Sequence, residues 1–171
     1  MRSKKFPPKA TFESVWALIQ ENARTIKAMQ KEIGGISKSN GEVADSYFFN
    51  SFSTSMQFAG QEYDNISHNL IRKSKKLNLQ GEYDLVLYNC TSIVIMEVKY
   101  KAHKDDVEKL MKKVETFKLL FPEYANFTVY LGLAAFHFEE NTEEASIEQG
   151  VAVIKQKGKN IIINDAHLKA F

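Results

Sequence analysis

Three side chains stand where they could do chemistry together: Asp84, Glu97 and Lys99. They lie in Gly81–Tyr100, whose two dense β runs, Tyr83 to Tyr88 and Ser92 to Tyr100, read as a hairpin. With the turn centred on Cys90-Thr91, Tyr88 faces Ile93, Val86 faces Ile95 and Asp84 faces Glu97. Directly opposed side chains share a face, with Cβ atoms about 4.5–5.5 Å apart. Lys99, two residues beyond Glu97, projects from that face too. Val86, Tyr88, Ile93 and Ile95 share it, while Leu85, Leu87, Val94, Met96 and Val98 share the other. Both faces are apolar, which predicts a central hairpin covered by helices on each side.

Burying two unpaired anions there is costly, and Lys99 offers one positive charge against two negative. A divalent metal resolves this. Mg²⁺ (or Mn²⁺) is commonly held by one or two carboxylates with waters and a substrate phosphate, and a neighbouring lysine can orient or help deprotonate the attacking water. The chemistry would be phosphodiester hydrolysis. A purely structural cluster, with Lys99 paired to Glu97 or to Glu82, satisfies the same residues.

Elements on either side must position this hairpin. Thr11 is a candidate N-cap for a helix to about Ile33. Its apolar residues Phe12, Trp16, Ile19, Ala23, Ile26 and Ile33 follow a four-three rhythm, as in a coiled-coil seam. That helix packs on its own domain or pairs with a second copy of the chain. Gly34-Gly35 is expected to end it, with a polar linker over 37–40 and a second helix from Gly41 to about Phe58. A short strand around Ile66–Ile71 precedes the hairpin. A helix over His103–Leu120, a strand over Phe127–Phe138, a short helix over Thr142–Gln149 capped by Gly150, and strands over Val151–Gln156 and Asn160–Ile163 follow. The expectation is an α/β fold: a mixed sheet flanked by helices. Residues 1–33 would form a basic arm and long helix, and residues 34–171 the main domain.

Asp84, twelve intervening residues, and Glu97-Val98-Lys99 resemble the D…(D/E)-x-K signature of the PD-(D/E)xK nuclease superfamily. The predicted order of elements resembles its restriction-endonuclease-like core. Gly41-Glu42-Val43-Ala44-Asp45, opening a helix, resembles its helical acidic motif, and Glu115 to Tyr124 resembles a prokaryotic branch of the group. Tyr83 stands where the name-giving proline would be. The resemblance implies that Asp84 and Glu97 ligate a metal with the Val98 carbonyl, that Lys99 acts on the attacking water, and that Glu42 binds or orients a metal. Asp45, at i+3 from Glu42, is an alternative.

The charge balance is 23 basic against 21 acidic residues, a net of +2, so an argument for nucleic acid must rest on local clustering. Arg72, Lys73, Lys75 and Lys76 precede the hairpin, and Lys101 and Lys104 follow it. They form a basic rim suited to phosphates, or an ordinary solvated loop. A single cysteine, Cys90, excludes a disulfide framework. No apolar run is long enough to span a membrane and no leader pattern is visible, so a cytoplasmic protein is expected. His68 and His103 read as ordinary polar residues. Two functions follow: a Mg²⁺-dependent nuclease acting on DNA, or a catalytically inactive nuclease-fold module for binding and assembly. A homodimer through the N-terminal helix is compatible with both.

Overall fold

The structure, a computed structural model, describes residues 11–171; the basic arm read over residues 1–10 lies outside them. The chain divides into two compact units, Met1–Ser39 and Asn40–Phe171. Helix α1 (Phe12–Ser55) supplies the described helix of the first unit and the opening helix of the second. Thr11 caps it, its Oγ1 accepting the Ser14 N–H at 3.2 Å. Within the first unit Phe12, Trp16, Ile19, Ile26, Met29 and Ile33 are exposed.

Gly34-Gly35 does not end this helix, and the expected linker at 37–40 is helical. Each glycine costs a helix about 1 kcal/mol relative to alanine, a penalty that long helix-forming flanks outweigh. A Cβ at either position would meet nothing. The helix stops at Ser55, before the expected Phe58, and Gln57–Phe58 (β1) pairs with Gln61–Glu62 (β2) in a small ribbon.

The second unit is built on a six-stranded sheet. Its strands, in chain and spatial order alike, are β3 (Asn65–Ser74), β4 (Leu79–Tyr88), β5 (Ser92–Ala102), β6 (Thr128–Phe138), β7 (Ala152–Lys157) and β8 (Asn160–Asn164). β5, β6 and β7 run parallel, through crossovers containing α2 (Lys104–Leu120) and α3 (Thr142–Gln149); the other pairings are antiparallel. The sheet is therefore mixed, as expected. Gly150 ends α3 with φ +78°, a left-handed conformation that glycine adopts without strain. No helix among the described residues is long and apolar enough to cross a membrane.

The core lies on both faces of β4–β7. Val86, Ile93 and Ile95 pack with Val107, Leu110 and Phe117 of α2. Leu85, Leu87, Val94, Met96 and Val98 pack with Ala44, Phe48 and Phe52 of α1. This is the two-faced burial read from the alternation, and it places Phe48 and Phe52 in the core. Tyr83 departs from it: by parity it belongs with Leu85, yet it joins the α2 side, edge-on to Phe117 at 5.1 Å.

Candidate active site

The hairpin has the expected register. Leu85 pairs with Met96, Val86 with Ile95, Leu87 with Val94 and Tyr88 with Ile93. Asn89 sets it: its Oδ1 accepts the N–H groups of Thr91 (3.0 Å) and Ser92 (2.9 Å), tying the turn to its own backbone. Cys90 is exposed there.

Asp84 and Glu97 are the first residues past the end of this ladder, where β4 and β5 part. The β3–β4 ladder also skips Asp84, opposite Asn69, whose φ is +51°. Asp84 is thus released from both neighbouring strands, and its side chain takes over a backbone role: Oδ2 accepts the Val98 N–H at 2.8 Å. Glu97, only 8% exposed, is gripped at both oxygens. Lys99 Nζ donates to Oε1 at 2.6 Å, and Lys113 Nζ of α2 donates to Oε2. Glu82 instead accepts a hydrogen bond from the Gln80 side chain.

Lys113 corrects the charge argument. Two lysines, not one, face the Asp84–Glu97 pair, so neutrality by itself does not demand a metal. Sequence reasoning missed this residue, although a signal was present: Asp106, Leu110, Lys113, Phe117 and Leu120 recur at three- and four-residue spacing. A lysine inside a buried helical stripe requires a buried acid to meet it.

Burial raises the Asp84 pKa above its ordinary value and the Glu97 charge raises it further; the Val98 N–H, Lys113 and Lys99 oppose the shift without cancelling it. Burial pulls the Lys99 pKa down, but Glu97, by charge and hydrogen bond, with Asp84 and Asp106, leaves it raised overall. Lys99 is therefore a firmly charged ammonium. The α1 carboxylate within electrostatic reach of Glu97 and Lys99 is Asp45, half-buried, its pKa raised chiefly by burial. Glu42 is exposed and acts on Asp45 through its charge.

The residues expected to meet nucleic acid are dispersed. Arg72 pairs with Glu123 and lies over the Phe121 ring, 4.4 Å from its centroid. Lys101 pairs with Glu139 at 2.7 Å. Lys73 lies on β3, and Lys75 and Lys76 in the turn after it, all exposed. That turn ends at Leu79, roughly 17 Å of strand from Asp84 at 3.4 Å per residue. His68 stacks on Phe49 at 4.6 Å. His103 precedes α2, its N–H donating to Asp106 and its ring meeting Glu139.

The donor set suits a hard divalent cation in kind, since two carboxylates suffice for Mg²⁺. Among the described residues no group of three or more His, Cys, Asp or Glu is assembled for a metal. An ion at this site therefore competes with the lysines for Glu97.

The sequence matches no protein-family model and no curated protein. Among solved structures, the chain is similar to the crystal structure of a repair endonuclease from Pyrococcus abyssi, with a TM-score of 0.50 and 18% identity. The fold is nuclease-like. The match covers 66% of this chain and 46% of that one, so the chain spans less than half of the endonuclease's length. At this identity the likeness is one of fold.

Proposed function

We propose that this protein is a metal-dependent nuclease that hydrolyses phosphodiester bonds in DNA at the Asp84–Glu97–Lys99 centre. The observation that carries the reading is the pair of acids freed together at the end of the β4–β5 ladder, on one face, with Lys99 on Glu97. A nuclease-like fold around that pair supports it. Asp84 and Glu97, with the Val98 carbonyl, would hold Mg²⁺ or Mn²⁺, and Asp45 is better placed than Glu42 to assist from α1. When bound, the ion supplies Lewis-acid stabilisation of charge at the phosphoryl group. Lys99, held cationic by its acidic neighbours, orients the attacking water and stabilises negative charge; its raised pKa argues against a general base. Water adds to phosphorus, one ester P–O bond breaks, and a phosphate monoester and an alcohol result.

The test is incubation with Mg²⁺ or Mn²⁺ and plasmid, linear duplex or single-stranded DNA, beside Lys99→Ala. Divalent-dependent cleavage that Lys99→Ala removes is expected. No cleavage of any substrate, with DNA or a protein partner still bound, would replace the reading with a non-catalytic module.

The exposed apolar stripe of α1 supports a second reading that holds with or without catalysis: self-association as a homodimer through that helix. Trp16 remains 54% exposed, and the heptad spacing suits a second copy of the same seam.

A further inference from the structure

The basic residues that lie nearest the acid pair are not those of the β3–β4 segment. They are on α2. Lys109, Lys112, Lys113 and Thr116 follow i, i+3, i+4 and i+7 spacing, so they occupy one helical face. With Gly81 and Tyr83 of β4 they line a groove of about 430 Å³. One acid, Glu82, also lines it, and the Gln80 amide hydrogen-bonds to it. Lys112 is exposed and makes no ion pair among the described residues. Lys109 reaches Asp106 only at 3.4 Å, with 67% of its side chain exposed. Tyr83 forms the wall under Lys113, whose Nζ lies 5.9 Å from the ring centroid. The Tyr83 hydroxyl is buried without a hydrogen-bond partner. Gly81 is required beside it, because a Cβ there would run into that hydroxyl.

Lys113 belongs to the groove and also to the acid centre, since the same ammonium closes on Glu97. An anion seated on Lys109 and Lys112 is one side chain away from the proposed site of cleavage. Three ammonium groups and a threonine hydroxyl on a rigid helix suit a phosphodiester: point charges for a delocalised anion, without the forks that would select a single carboxylate.

We infer that this α2–β4 groove is the subsite that holds a backbone phosphate of the nucleic acid beside the scissile one. The inference rests on the nuclease reading, yet its test separates the two. Binding of a fluorescein-labelled DNA duplex to the full chain is followed by anisotropy in EDTA over a range of KCl concentrations. Lys109→Ala/Lys112→Ala should weaken binding roughly tenfold and lower the slope of log affinity against log salt by about 2, one unit per phosphate contact. Both lysines are exposed and alanine favours helix, so the variant folds. A control pair on the β7–β8 turn, Lys157→Ala/Lys159→Ala, should change the slope little.

An equal fall in the control would reduce the effect to general charge and overturn the subsite. An unchanged slope in the α2 variant would also overturn it, and would leave cleavage by the wild type as separate evidence for the nuclease. Loss of slope in a protein that cuts nothing with Mg²⁺ or Mn²⁺ would keep the subsite and discard the nuclease. Inorganic phosphate should displace the duplex no better than chloride at matched ionic strength. Selective displacement that disappears in the α2 variant would mark a free-anion site instead.

Discussion

Lys113 and Glu97, sixteen residues apart in sequence, form an ion pair between α2 and β5 that closes one side of the acid centre. Lys113→Met should therefore act in two directions. Without metal it destabilises the fold by about 1–2 kcal/mol, less than for a fully buried pair because Lys99 still neutralises Glu97. With metal it tightens Mn²⁺ binding, because the ion has one fewer ammonium to displace. Urea titration and calorimetry measure the two effects; a weaker Mn²⁺ affinity would show that Lys113 does not compete.

Asp84→Asn should abolish cleavage while raising thermal stability in EDTA at pH 7 by a few degrees. The folded-state pKa of Asp84 is raised, so its favourable contribution is present in full below about pH 4 and is lost as pH rises through the folded value. Asparagine keeps an acceptor for the Val98 N–H without the buried charge. The advantage of the variant should shrink as pH falls, which thermal melts at pH 7 and pH 4 would reveal. An advantage that grows towards pH 4 would have the wrong sign.

Asp45→Asn should reduce turnover more than Glu42→Gln. Asp45 is half-buried and coupled to Glu97 and Lys99, whereas Glu42 is exposed. Initial rates at saturating Mg²⁺ for the two variants decide this, and the reverse order would return the helical role to Glu42.

Ile19→Glu/Ile26→Glu should convert a dimer to a monomer in light scattering while leaving the melting of the second unit in place. The wild type should show blue-shifted Trp16 emission as concentration rises and the stripe is covered. A wild-type monomer at high concentration would dispose of the seam.

Gly34→Ala and Gly35→Ala should each stabilise α1 by about 0.5–1 kcal/mol, since a Cβ at either position meets nothing. Helicity by circular dichroism should rise on heating relative to wild type.

What was legible in the chain depended on how local its cause was. The hairpin register could be read because one Asx-type turn at Asn89 and strict alternation left a single solution. Gly150 as a stop for α3 was equally local. Gly34-Gly35 misled because glycine is a weak helix breaker when no other structure competes for the segment. The β1–β2 ribbon turns at Ala59 and Gly60, with φ +52° and +71°; alanine in a left-handed conformation leaves no compositional trace. Lys113 meets Glu97 only through tertiary packing, so spacing around the acids did not reveal it. The parity break at Tyr83 likewise follows from the release of Asp84 from both ladders.

That release has a consequence for how such a chain would drift over generations. Where β4 and β5 fork, the Val98 N–H takes its acceptor from a side chain rather than from the neighbouring strand. Folding alone therefore selects for an acceptor at position 84, even in a lineage that no longer cuts anything. Glu97, Lys99 and Lys113 satisfy one another and carry no backbone duty of this kind, so they are released together once catalysis lapses. Inactive descendants should keep Asp or Asn at 84 while the other three change as a set. A descendant that loses position 84 and keeps the ion-paired trio would run against the architecture.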